Sequence, residues 1–267
     1  MRLLWLLVLC TPFIAWTQAT PDPSAVYKQV LEKIQPNIVT VRVVIKVEVK
    51  AEDENQSDES KFTLQGAVLN SEGLVLVSGL LLSSESFKQL IGLDDDSAVN
   101  LTISPQSFKV IFGSETKEYE AKLVATDSQL GIAFLKITNL EGRAITPITF
   151  ANEELGIGKE LITVSRLPKG FDYAPYFATG RIISEISKPR KAYLMEGNIG
   201  ELGLPVYNMK GEAVGVLVVL RHGLKDEERD FNFRSNFGED DSAAFVLPAS
   251  ALRPLIEQAM QRAANVK

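Results

Sequence analysis

Val41, Val43, Ile45, Val47 and Val49 occupy every second position of one stretch, with charged residues at Arg42, Lys46 and Glu48 between them. A period of two puts the five apolar side chains on one face of an extended chain, so residues 38–50 read as a half-buried β-strand. Short runs of the same kind recur, rich in Val, Ile and aromatic residues and fenced by Gly, Asn or Pro. Phe62–Asn70, Leu74–Ser78, Phe108–Phe112, Glu118–Ala125 and Ile132–Thr138 complete a first set of six. Glu160–Arg166, Tyr176–Ile186, Lys191–Met195, Leu204–Asn208, Ala213–Leu220 and Ala243–Leu247 make a second. A helix precedes the strands: Val26, Val30, Leu31 and Ile34 share one face of residues 23–35, and Pro36 stops it. Another closes the chain from Pro248 to about Ala264, with Leu252, Leu255, Ile256 and Met260 on one side.

This layout predicts an all-β fold of two six-stranded β-barrels between a short N-terminal helix and a C-terminal helix; a pair of β-sandwiches fits the same strand count. The expected divisions are 20–36 for the N-terminal helix and its linker, 37–140 for the first barrel, 141–158 for a linker, 159–248 for the second barrel and 249–267 for the last helix. Three polar segments, Ala51–Lys61, Gly92–Ser107 and Arg221–Asp241, read as exposed loops.

Met1 to Ala19 reads as a signal peptide. Arg2 supplies the positive end, Leu3 to Ala15 an apolar stretch too short for a membrane span, and Thr17-Gln18-Ala19 small residues for cleavage. Export to the periplasm or the exterior is expected, with no integral span in the mature chain. The only cysteine is Cys10, inside that leader, so no disulfide can staple the exported protein and its core must hold it. Without Arg2 the chain carries 27 basic and 34 acidic residues, a net −7, which argues against nucleic acid as a partner.

Several phrases, in order and spacing, resemble the trypsin-like domain of the HtrA/Deg family of exported serine proteases, over roughly Val26 to Gln258. They are Ile38-Val39-Thr40-Val41, Gln65-Gly66-Ala67-Val68-Leu69-Asn70-Ser71-Glu72-Gly73, Tyr119 to Asp127 followed by Ile132-Ala133-Phe134-Leu135, Ala178-Thr179-Gly180-Arg181-Ile182, Gly211-Glu212-Ala213-Val214-Gly215-Val216 and Ala244-Phe245-Val246-Leu247-Pro248. The resemblance implies the trypsin-like two-barrel fold. It also locates the family's catalytic triad. The histidine position, after the second hairpin strand, is Leu80. The aspartate position, before Ile132, is Gly131. Counting back from Gly211, Gly200-Glu201-Leu202-Gly203-Leu204-Pro205 puts Leu202 at the nucleophile; a shifted match puts Ile199 there, and neither is a hydroxyl. Two leucines and a glycine offer no nucleophile, no base and no group to orient one.

The remaining chemistry-bearing residues offer little. The one histidine, His222, lies in a charged stretch and reads as an exposed loop residue. Ser165 with Lys169, or Ser78 alone, match no hydrolase motif. Asp94-Asp95-Asp96 lacks the spacing of a calcium loop, and Gly156-Ile157-Gly158-Lys159-Glu160 lacks that of a phosphate loop. No metal and no cofactor is expected. What the resemblance leaves is the family's way of holding substrate, in which an extended peptide adds a strand beside the second-barrel cleft. Leu202, Gly203, Val214, Val216 and Val218 are the residues so implied. The expected role is therefore a non-catalytic binding or regulatory module whose partner is an extended peptide, an unfolded protein segment or an active protease relative, with a homo-oligomer possible. The alternative is a serine-type endopeptidase acting through an unrecognised nucleophile. The family's C-terminal PDZ domain is not expected, since the chain ends soon after the last helix.

Overall fold

A computed structural model describes residues 23–50, 55–90, 100–188, 190–197, 200–219 and 244–266. The predicted signal peptide, Cys10, Asp94–Asp96, Ile199 and His222 lie outside them.

Helix α1 (Pro23–Ile34) leads through a short 3-10 turn into β1 (Ile38–Lys50), β2 (Asn55–Val68), β3 (Leu74–Ser78), α2 (Ser84–Leu90), β4 (Asn100–Phe112), β5 (Glu118–Asp127) and β6 (Ile132–Ile137). There follow β7 (Glu160–Arg166), β8 (Pro175–Ile186), β9 (Ala192–Gly197), β10 (Pro205–Tyr207), β11 (Ala213–Val219), β12 (Ala244–Pro248) and α3 (Ala249–Ala263). Each set of six closes on itself, in the order β1-β2-β3-β6-β5-β4 and β10-β11-β12-β9-β8-β7. Closure settles the choice between barrels and sandwiches in favour of barrels.

The alternation in β1 does what its period requires. Val39, Val41, Val43 and Ile45 are buried, with Val68, Val75, Val77, Val110 and Leu135, in the core of the first barrel. Leu161, Ile182, Tyr193, Met195, Val206, Val214, Leu217 and Val246 fill the second. A third cluster joins the barrels: Leu74, Leu76, Leu130, Ile132 and Phe134 meet Val216, Val218 and Leu247, and α3 seals it with Leu252, Ala259 and Ala263. The α3 face is rotated from the expected one, so that Ala259 and Ala263 point inward while Met260 stays exposed. Helix α1 buries Val30 and Ile34 against Ile38, Ile162, Val164 and Tyr207.

Two of the expected loops are partly strand. Residues 55–61 belong to β2, paired residue by residue with β1 from Lys50↔Asn55 to Val44↔Lys61. The side chains of residues 56–61 are polar and exposed, so no apolar rhythm announces this stretch; main-chain pairing carries the strand. Residues 100–107 belong to β4, with Leu101 and Ile103 in the first core. The pairing of β1 with β4 shifts register where Val44↔Ser107 is followed by Ile45↔Pro105. A bulge of this kind is where a strand accommodates a proline. Helix α2, absent from the sequence reading, starts on Ser83, whose Oγ accepts the Ser86 N–H at 3.0 Å.

Candidate functional site

The site predicted from the sequence lies at the seam between the barrels, where loops from the first and the second barrel meet. After β3 the chain turns at Gly79, whose N–H donates to the Gly131 carbonyl at 2.7 Å. That bond lays Leu80 against Gly131. Leu80 is 8% exposed, and a Cβ added to Gly131 would lie 2.7 Å from Leu80 Cδ2. Gly131 also has φ +63°, a left-handed conformation that costs a side chain about 1–2 kcal/mol. The structure thus brings Leu80 and Gly131 together, in a contact between hydrocarbon and bare main chain.

The loop carrying Leu202 reaches the same seam from the second barrel. Leu202 is half-buried and packs against the second-barrel core. Its neighbour Gly203, at φ +83°, sits on the main chain of the first barrel, where an added Cβ would lie 2.4 Å from Ser78 N and 2.5 Å from Val77 C. Only a residue without a side chain permits that approach.

Strand β11 was the expected edge for an incoming peptide. It pairs with β12 from Gly215↔Pro248 to Val219↔Ala244, and with β10 through Pro205↔Val216 and Val206↔Gly215. Beyond β10 the loop takes over: Gly203 N–H donates to the Leu217 carbonyl at 2.8 Å and Leu217 N–H to the Leu204 carbonyl at 3.0 Å. Val219 N–H goes to the Leu130 carbonyl at 3.2 Å. Val214, Val216 and Val218 are each 0% exposed. A peptide strand would therefore have to displace the Gly203–Leu204 loop to reach Leu217.

Glu201, next to Leu202, is the residue that sequence reasoning passed over. Ser165 Oγ donates to Glu201 Oε1 at 2.8 Å, and the Gln65 main chain and the Tyr176 side chain also hydrogen-bond the carboxylate. Burial pushes the Glu201 carboxyl above the usual carboxylate range, outweighing these three bonds, which pull it down. Its partners come from β2, β7 and β8, so no spacing along the chain could reveal the cluster; the one signal was an acidic residue beside the nucleophile position. The candidate Ser165 hydroxyl is thus held by a carboxylate. A folded pKa above the unfolded value adds stability at pH below the unfolded value, about 4.3 for Glu, and that stability is lost as pH rises through the folded value. Glu201→Gln removes this dependence. Urea unfolding at a series of pH values should show the variant gaining on the natural chain as pH rises above about 4.3; a constant difference would contradict it.

Among the described residues no group of three or more His, Cys, Asp or Glu side chains could hold a metal ion, and no helix is long and apolar enough to cross a membrane.

Residues 65–216 match the family model described as trypsin-like peptidase domain. The chain is similar to proteins named "Probable periplasmic serine endoprotease DegP-like". That of Pseudomonas putida (strain GB-1) is 28% identical over 158 residues, 54% of this chain and 29% of the relative. That of Pseudomonas savastanoi pv. phaseolicola is 31% identical over 112 residues, 39% of this chain and 22% of the relative. The chain thus spans less than a third of the length of these relatives. Among solved structures, the Rv3671c protease of M. tuberculosis in its active form superposes with a TM-score of 0.53, at 18% identity over 94% of each chain. Deg5 superposes with a TM-score of 0.53, at 16% identity over 88% of this chain and 94% of that one. At such identities the likeness is one of fold.

Proposed function

The chain belongs to the trypsin-like peptidase domain family, as an HtrA/DegP-like serine protease homologue, and we propose that it is a non-catalytic member that acts by binding protein. The observation that carries this reading is the Leu80–Gly131 contact. Where the resemblance expects an imidazole held by a carboxylate, the seam holds a leucine packed on a glycine. Proton transfer from a serine requires a base within hydrogen-bond reach, and a hydrocarbon is none. Leu202, at the nucleophile position, offers no hydroxyl to activate. Fold alone does not confer the activity of the relatives, since function resides in the site.

What remains is a two-barrel scaffold with a protein surface. In this reading the partner is an extended protein segment or an active protease relative. Contact through Leu202, Gly203, Val214, Val216 and Val218 follows release of the Gly203–Leu204 loop from Leu217. The leader-like N-terminus and the periplasmic naming of the DegP-like relatives support a periplasmic location.

The test rebuilds the site. The chain from Thr20 to Lys267 is compared with the same chain carrying Leu80→His, Gly131→Asp and Leu202→Ser, using casein as substrate. Aspartate bears a left-handed φ at less cost than most residues, and Leu80→His removes the Cδ2 methyl that a Cβ at position 131 would meet at 2.7 Å. The natural chain is expected to leave casein intact. Casein cleavage by the natural chain that tracks its purified peak would sink the reading, and cleavage by the rebuilt chain alone would support it.

A further inference from the structure

Strands β1, β2 and β4 run on beyond the first barrel as a three-stranded ribbon, and its two outer edges are treated differently. The β4 edge beyond β5 is covered by the chain itself: α2 packs on β4, and Ser84 Oγ accepts the Ile103 N–H at 2.8 Å. The β2 edge has no such cover among the described residues. Strand β2 pairs with β1 from Asn55 to Ala67, whereas β3 reaches only Gly66–Val68.

Which main-chain groups face outward follows from three hydrogen bonds. Leu69 N–H donates across to the Leu74 carbonyl, the Gln65 main chain bonds Glu201 in the second barrel, and Glu59 N–H takes Asp58 Oδ1 at 2.8 Å. Odd-numbered residues thus turn their N–H and C=O away from β1. Ser57, Glu59, Lys61 and Thr63 are exposed, and no strand among the described residues pairs their outer side. A row of outward donors and acceptors with no strand beside it is a template for another strand.

The charges along the edge indicate which strand. Charges of one sign along an edge would repel a second copy of the same strand. Here they are matched about Ser60, with Glu59 on one side and Lys61 on the other, and their side chains already meet at 3.5 Å within the chain. An antiparallel copy centred on Ser60 sets Glu59 opposite Lys61 of the copy and Lys61 opposite its Glu59, while Ser57 faces Thr63. All four residues are outward-facing, so each exchanges two main-chain hydrogen bonds with its opposite. Opposite charges directly across a ladder stabilise it and like charges destabilise it.

We infer that two copies of this chain pair through the free edge of β2, antiparallel and centred on Ser60, to form a twofold dimer. The interface is a single strand pair with its flanking side chains, so its area is small and the association is of micromolar strength. Asp58 competes with it, because its carboxylate occupies the Glu59 N–H.

Sedimentation equilibrium of residues 20–267 up to about 100 μM tests this, the range suited to a small interface. The natural chain is expected to form dimers that weaken as salt rises. Glu59→Lys alone and Lys61→Glu alone should each raise the dissociation constant about tenfold or more, because two opposed pairs become repulsive. The double variant should restore it, a rescue that a folding defect could not produce. Asp58→Ala should tighten the dimer. Lys61→Pro, which removes an outward donor and leaves the bonds to β1 intact, should abolish it, with circular dichroism confirming the fold. A natural chain that stays monomeric throughout, with or without a bound peptide, would overturn the inference. So would an oligomer indifferent to the single charge reversals, or one that the double variant fails to restore.

Discussion

Gly203→Ala is expected to lower the stability of the fold by about 3 kcal/mol or more. Two costs coincide. The residue has φ +83°, where any side chain strains the backbone by about 1–2 kcal/mol. The added carbon would also stand 2.4 Å from Ser78 N and 2.5 Å from Val77 C, both main-chain atoms that no rotamer change can move. Relief requires the first barrel to back away from the second, which opens the cluster of Leu74, Leu76 and Ile132 with Val216 and Val218. Moving the loop instead strains the bond from the Gly203 N–H to the Leu217 carbonyl. Urea unfolding checks the magnitude. A loss under about 1 kcal/mol, the price of an ordinary exposed glycine change, would mean that the loop relaxes and that its seating on Ser78 is not tight.

Arg166→Met should cost about 3–5 kcal/mol. Arg166 is 7% exposed and its guanidinium is spent on carbonyls from three places: Nε donates to Ile38 at 2.7 Å, Nη1 to Tyr173 at 3.0 Å and Nη2 to Gln35 at 2.5 Å. It ties the entry to β1, the turn after α1 and the β7–β8 hairpin to one point. Burial lowers its pKa, yet a guanidinium stays charged at any working pH. Methionine replaces the stem and removes every donor, so the Ile38 and Tyr173 carbonyls lose the guanidinium while the Gln35 carbonyl keeps the Ile38 N–H. Arg166→Lys should recover only part of the loss, since one ammonium cannot reproduce a planar fork. Equal stability of the lysine variant and the natural chain in urea would contradict this role.

The fold was legible wherever side chains carry the signal. The valines of β1 and the fully buried run of β11 announce strands by period and composition. The outer half of β2 does not, because Asn55 to Lys61 form a strand through main-chain pairing alone. In β4, Pro105 disguises a strand that absorbs it at a bulge. Helix α2 has only seven residues and one capping serine, too little for a periodic pattern.

The site divides in the same way. Leu80, Gly131 and Leu202 could be named from ordered phrases along the chain. The closure of β11 could not, because it depends on how the Gly203 loop docks on the other barrel. Nor could the Glu201 cluster, whose partners Gln65, Ser165 and Tyr176 are brought together only by the barrels meeting.

The central claim is that no hydroxyl in this protein is activated as a nucleophile. A fluorophosphonate probe reacts with such a hydroxyl whatever the enzyme's substrate, which makes labelling more direct than any hydrolysis assay. The chain from Thr20 to Lys267, incubated with the probe beside an active serine protease and then digested for mass spectrometry, is expected to carry no label on any serine. Stoichiometric labelling of one serine, lost on heat denaturation, would contradict the account and identify the nucleophile it denies.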